Sequence, residues 1–186
     1  MMEAFFISTG LVALAEIGDK TQLLALMLAV RFRKPIPIVL GILIATLLNH
    51  GLAGAAGAWL SHLVSTEVMR WILGLSFIAM AIWMLIPDRL EEQQDCKPRF
   101  GVFATTLVAF FLLEIGDKTQ IATVALAAKY DELIAVVAGT TLGMMVANVP
   151  AVLLGDIAAT KINIRLVQRI AAGLCAVLGV LVLAGI

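Results

Sequence analysis

The sequence predicts an all-α integral membrane protein with six transmembrane helices arranged as two inverted three-helix repeats. Three observations lead there. Of the 186 residues 62% are hydrophobic and the mean hydropathy is +1.05, whereas a soluble domain is nearer half apolar. The apolar residues gather into six stretches, each close to the roughly 20 residues that cross a hydrocarbon core of about 30 Å. Finally, the seven residues Glu16-Ile17-Gly18-Asp19-Lys20-Thr21-Gln22 recur letter for letter, 98 positions on, as Glu114-Ile115-Gly116-Asp117-Lys118-Thr119-Gln120.

The predicted spans are 3–30, 36–60, 68–86, 101–128, 133–158 and 165–186. The first has no basic segment before it and is too long for the apolar region of a signal peptide, so it reads as a mature helix. It carries the first motif. The second holds Asn49 and His50 and a run of small residues, Gly51, Gly54 and Gly57, suited to close helix packing. Trp59, Trp71 and Trp83 stand near span ends, where interface anchors belong. The third span closes the first repeat, residues 1–86, and a polar central loop, 87–100, leads to the second, 101–186. The fourth span carries the second motif. The fifth contains the packing pair Gly139 and Gly143, the polar Asn148 and, near its end, Asp156, which reads as interfacial. The sixth contains Cys175; with Cys96 in the loop it forms neither a metal-ligand spacing nor a disulfide framework, so both read as free thiols.

Net charge is zero, which leaves no basic surface for nucleic acid. What informs is where the charges fall. Apart from Lys20 and Lys118, nine Lys and Arg lie in the first, third and fifth loops: Arg31, Arg33, Lys34; Arg89, Lys97, Arg99; Lys161, Arg165, Arg169. Only Arg70 and Lys129 lie on the other side. The excess of basic residues marks the cytoplasmic face, so both termini are expected outside the cytoplasm, in agreement with an even number of crossings.

The repeat extends beyond the motif. At the same offset Phe5 matches Phe103, Leu14 matches Leu112, Leu28 matches Leu126, Ala29 matches Ala127 and Gly41 matches Gly139. With three spans per half, the second half enters the membrane from the opposite face, a design in which secondary transporters place a site at the repeat interface near the midplane. The helical rise puts Glu16 and Glu114 roughly 18 and 21 Å in from opposite faces.

Charge at that depth costs roughly 3 kcal/mol per residue on insertion scales and marks ion or substrate paths. In an unbroken helix Glu16, Asp19 and Lys20 share a face, as do Glu114, Asp117 and Lys118. Gly18 and Gly116 weaken the helix by about 1 kcal/mol each, and a break there would free carbonyl oxygens as ligands. The carboxylates, Thr21, Gln22, Thr119 and Gln120 form an all-oxygen donor set that suits hard divalent cations such as Mn2+ and Ca2+ better than Zn2+ or Cu+. Four carboxylates against two lysines leave a charge of −2, which one dication would neutralise; otherwise the carboxylates must take up protons. Exchange of a divalent cation for protons follows, with Lys20 and Lys118 as charge-balancing counter-ions. Purely structural ion pairs would explain neither the surplus of carboxylates nor the retained Thr and Gln. Asn49, His50 and Asn148 either hydrogen-bond between helices, the simpler reading, or line the cation path.

The twin E-φ-G-D-K-(T/S) motif in six spans with a polar central loop resembles, over essentially the whole chain, the cation/proton antiporters that include bacterial manganese exporters and Golgi calcium/manganese:proton exchangers. The resemblance implies export of Mn2+ or Ca2+ from the cytosol in exchange for protons, carried by Glu16, Asp19, Glu114 and Asp117, with Lys20, Thr21, Lys118 and Thr119 completing the match. The short chain, with its small central loop and no N-terminal extension, is similar to the bacterial form, which favours manganese and the inner membrane. The expected partners are the cation, protons and the lipid bilayer; no cofactor is expected. A passive cation channel is the nearest alternative. An intramembrane aspartyl protease fits less well, because each motif offers only Ile-Gly-Asp beside Glu and Lys. No nucleophile constellation or phosphate-binding glycine loop is present, so the chain is not expected to be an enzyme.

Overall fold

The computed structural model describes residues 1–85, 101–154 and 164–185. The central loop, the end of the fifth predicted span, Arg89, Cys96, Lys97, Arg99, Asp156, Lys161 and the Arg165 side chain lie outside the described residues. Every regular element among those described is a helix: α1 (Met2–Glu16), α2 (Lys20–Phe32), α3 (Pro35–Leu63), α4 (Thr66–Met84), α5 (Gly101–Glu114), α6 (Lys118–Tyr130), α7 (Leu133–Leu154) and α8 (Ile164–Ala184).

Four of these, α3, α4, α7 and α8, are long and apolar enough to cross a membrane. They match the second, third, fifth and sixth predicted spans. The first and fourth spans, expected as the segments 3–30 and 101–128, are each divided in two, so the single polar stripe of an unbroken helix does not form. The cause is local. Gly18 and Gly116 adopt φ of +81° and +77°, a conformation that costs an L-residue about 1–2 kcal/mol and glycine almost nothing. Asp19 and Asp117, extended at ψ 168° and 163°, then open α2 and α6 as N-cap residues. At 15 and 13 residues, α1 and α2 are roughly 22 and 20 Å long, too short to span alone.

The other boundaries follow capping chemistry. Arg33 and Asp131, at equivalent positions, both take the left-handed conformation and close α2 and α6 with an N–H bond to Ala29 O and Ala127 O, a common helix stop. Pro35 starts α3 at its first turn, where its missing N–H costs nothing.

The interior joins a buried apolar core, with Phe77, Phe110 and Leu126 fully enclosed, to small and polar residues. Along α3, Gly41, Ala45, Thr46, Asn49, His50 and Gly57 turn inward beside Ile38 and Ile42, while Leu40, Leu47, Leu52 and Trp59 are exposed. A continuous exposed apolar surface of this kind belongs against lipid. Helices approach closely through glycine. A Cβ on Gly57 would lie 2.2 Å from Val124 O, one on Gly143 2.6 Å from Thr9 O, and one on Gly54 2.8 Å from a Leu133 methyl. Gly51 departs from the expected packing run: its Cβ position faces open space.

The two halves grip each other reciprocally. A Cβ on Gly41 of α3 would lie 3.0 Å from Phe103 O and 2.8 Å from Thr106 Cβ in α5; one on Gly139 of α7 would lie 2.5 Å from Phe5 O and 3.0 Å from Ser8 Cβ in α1. Each of these contacts becomes the other when residue numbers are shifted by the repeat offset. Thus α1 packs on α7, α5 on α3, and α4 on α8. Adding one methyl group at such a contact should therefore be costly. Gly139→Ala is expected to lower the thermal midpoint of the detergent-solubilised protein, corresponding to overpacking of about 1–3 kcal/mol, whereas Gly51→Ala should leave it unchanged or raise it slightly.

Candidate cation site

Each helix break presents a carboxylate on either side of a short extended link. Glu16 is the last residue of α1 and Glu114 the last of α5; Asp19 and Asp117 stand just before α2 and α6. All four carboxylates are buried. The freed backbone groups are partly absorbed within the motif itself. The Asp19 and Asp117 N–H groups donate to Glu16 O and Glu114 O at 3.0 Å each. The Gly18 and Gly116 N–H groups donate to the side-chain oxygens of Gln22 and Gln120 at 2.9 and 2.7 Å. The glutamines thus brace the breaks, and the Gln22 amide also donates to Ala147 O of α7 at 2.9 Å. This gives a reason for a glutamine four residues after each glycine: only a long amide reaches back across the gap with an acceptor.

Asp is a favoured N-cap residue because its carboxylate can accept from the first-turn N–H groups. Here neither aspartate does so. Each is held instead by a lysine of the other half. Lys118 Nζ lies 2.6 Å from Asp19 Oδ1, and Lys20 Nζ lies 3.0 Å from Asp117 Oδ1. Adjacent residues at a helix start do not face each other, so a lysine and aspartate of one motif are poorly placed to pair, and the pairing crosses between halves. The two pairs are not equally dry: the Lys118 side chain is 3% exposed and that of Lys20 24%.

The glutamates are held by neutral donors. Thr21 Oγ1 donates to Glu16 Oε2, while Glu16 Oε1 has no hydrogen-bond partner among the described residues. Glu114 accepts from Thr46 Oγ1 at 3.2 Å and Asn49 Nδ2 at 3.3 Å, both on α3. With the aspartates matched by lysines, the surplus of two carboxylates expected from the motif falls on this pair. Glu16, Asp19 and Asp117 each bring one carboxylate oxygen to within 4.8 Å of the others, a spacing that lets three oxygens meet on one cation. Glu114 stands outside that trio.

The remaining candidates are placed as follows. Thr119 Oγ1 approaches Asp117 Oδ2 at 3.4 Å and so does not mirror Thr21. Asn49 also donates to Phe111 O at 3.1 Å, tying α3 to the end of α5. His50 is buried, with neither ring nitrogen hydrogen-bonded among the described residues. Asn148 donates to Met144 O and Sδ on its own helix and touches no motif carboxylate. Thr46 is the site residue that sequence reading passed over. Its signal was available: Thr46, Asn49 and His50 fall at i, i+3 and i+4 on the inward face of α3.

Buried carboxylate oxygens, their unequal pairing with lysines and two broken helices that carry the same motif make this a candidate ion site. The sequence matches the family model for the divalent cation/proton antiporter GDT1 over residues 4–92 and 102–185. The chain belongs to the GDT1 divalent cation/proton antiporter family. Membership places this GDT1-family protein among transporters and not among enzymes. It is 51% identical to a Vibrio cholerae protein named as a candidate manganese exporter, over 94% of this chain and 87% of that one. It is 30% identical to a GDT1-like protein of Synechocystis, over 91% of both chains, and 30% identical to GDT1-like protein 3 of rice, Oryza sativa, over 91% of this chain and 70% of that one. No solved structure matches.

The crossed ion pairs of this GDT1-family chain make a direct prediction. Removing one partner of a buried pair strands the other and costs about 3–5 kcal/mol; the wetter pair costs less. Lys118→Met should lower the thermal midpoint in detergent more than Lys20→Met, and Asp19→Asn added to Lys118→Met should restore most of the loss. Equal effects of the two lysines, or no recovery in the double variant, would contradict the crossed assignment.

Proposed function

We propose that this protein exports a divalent cation, Mn2+ in preference to Ca2+, from the cytosol across the bacterial inner membrane in exchange for protons. The observation that carries the reading is the division of labour among the four motif carboxylates. Two aspartates are matched by lysines from the opposite half, and two glutamates are held only by neutral donors. A set with that imbalance is satisfied either by a dication or by protons, and the two therefore compete.

In this reading the six crossings comprise α3, α4, α7, α8 and the two broken pairs, α1 with α2 and α5 with α6. The halves are inverted repeats. The reciprocal contacts of Gly41 and Gly139, and of Lys20 and Lys118, support a two-fold relation between them, and broken helices that meet near the midplane are a recurrent transporter design. Both termini lie outside the cytoplasm. Open to the cytosol, Glu16, Asp19 and Asp117 capture the cation, with Thr21 and Glu114 beside them. Lys20 and Lys118 leave the aspartates as it arrives. Open outward, protons reach the glutamates, the ammonium groups return to the aspartates, and the cation departs. The aspartates are thus compensated in both halves of the cycle, by the cation in one and by the tethered lysines in the other. Gln22 and Gln120 hold the breaks, and Thr119 and Asn49 steady Asp117 and Glu114; His50 and Asn148 lie along the route. Manganese is preferred because the Vibrio cholerae relative bears the name of a manganese exporter; oxygen ligands by themselves accept either ion.

In proteoliposomes, an imposed pH gradient should drive Mn2+ uphill. Glu16→Gln and Glu114→Gln should each reduce that transport to background while the protein stays monodisperse. Mn2+ movement that only follows its own gradient would reveal a passive channel, and transport near wild type in both variants would refute the roles given to the glutamates.

A further inference from the structure

The two basic residues that the charge pattern sets apart from the other nine, Arg70 and Lys129, come from different halves of the chain, yet both line one cavity of about 490 Å3. It lies between the C-terminal ends of α3, α6 and α8 and the first turns of α4, at one end of the bundle and away from the cation site. Its floor is apolar and buried, formed by Met69, Leu73, Ala128 and Val182. Among the described residues its rim carries Arg70, Lys129 and His62 with one carboxylate, Asp131.

The C-termini of α6 and α8 each gain one backbone bond, Asp131 N–H to Ala127 O and Gly185 N–H to Val182 O, at 3.1 Å each. A Cβ on Gly185 would lie 3.5 Å from an Arg70 guanidinium nitrogen, and Lys129 Nζ lies 5.4 Å from the Tyr130 ring centroid. Arg70 Nε is buried and has no hydrogen-bond partner among the described residues. A guanidinium that lines a cavity can grip an oxyanion with more than one N–H. Among the described lining residues, two cations stand against one carboxylate, which suits a ligand with a negative charge such as a phosphodiester.

The surroundings select the source of that group. Trp71, directly after Arg70, is half exposed, and Leu63 and Val68 beside the cavity are exposed as well. An apolar surface with a tryptophan at its edge sits at the depth of lipid headgroups, and basic pockets between membrane helices on the cytoplasmic side accept anionic headgroups by the same chemistry. We propose that this cavity binds the phosphodiester headgroup of an anionic phospholipid through Arg70 and Lys129, with the glycerol backbone and upper acyl chain over the apolar floor.

The test uses the full chain in detergent, with thermal shift and native mass spectrometry during titration with phosphatidylglycerol, phosphatidylcholine or inorganic phosphate. Phosphatidylglycerol should remain bound and raise the thermal midpoint, phosphatidylcholine should do so more weakly, and inorganic phosphate should do neither. Arg70→Gln and Lys129→Gln should each weaken phosphatidylglycerol binding about fivefold. Asp131→Asn should strengthen it, a gain that misfolding cannot imitate, so this variant and Lys129→Gln decide the matter if Arg70→Gln fails to fold. Equal binding of the two lipids, or unchanged binding in the variants, overturns the proposal. A full shift with inorganic phosphate alone overturns the lipid assignment in favour of a free anion.

Discussion

Two ion pairs crossing between the halves of the chain govern the arrangement at the centre of this protein. Each aspartate that follows a helix break is held by a lysine of the opposite break, Asp19 by Lys118 and Asp117 by Lys20. Buried carboxylates need a cation or a proton, and a lysine one residue along the same helix start points elsewhere. The pairing therefore joins what the sequence keeps far apart. It also decides which carboxylates are left over. Among the described residues, the hydrogen-bond donors found at Glu16 and Glu114 are neutral hydroxyl and amide groups, and the proposed competition between protons and a dication falls on them.

The breaks that make this geometry possible are written in three residue types. Glycine takes the left-handed turn, aspartate opens the next helix, and glutamine four residues after the glycine returns an acceptor to the stranded N–H. Small residues then bring the segments together: Gly139 lets α7 touch the backbone of α1, and Gly41 lets α3 touch α5. The centre is not symmetric despite the identical motifs. Thr46 and Asn49 of α3 reach Glu114, whereas their counterparts at the repeat offset, Met144 and Ala147, offer no equivalent donor to Glu16. Two glutamates with unequal surroundings can respond to protons at different points of a transport cycle.

Much of this was legible in the sequence because membrane burial makes charge conspicuous. Apolar runs located α3, α4, α7 and α8 within a few residues, and the twin motif pointed to the family and to the carboxylates that the fold buries together. Glycine between two acids signalled a weak point, although hydropathy alone read straight through it and predicted continuous spans at 3–30 and 101–128. What one sequence could not supply was pairing. Helical periodicity put Lys20 beside its own Glu16 and Asp19, and only the break and the packing of the halves turn it towards Asp117. Thr46 was hidden because a threonine in an apolar helix is unremarkable until a carboxylate of another helix is found against it. Gly51 looked like its neighbours Gly54 and Gly57, but it lies on a different side of α3 and faces open space.

The claim that a cation and protons share the uncompensated glutamates is tested most directly by counting protons. Mn2+ added to the weakly buffered, detergent-solubilised protein should release up to about two protons per bound ion, since metal binding to carboxylates displaces the protons they hold. The count should fall when Glu16 or Glu114 is replaced by glutamine. Stoichiometric Mn2+ binding with no proton release at any pH would contradict the assignment.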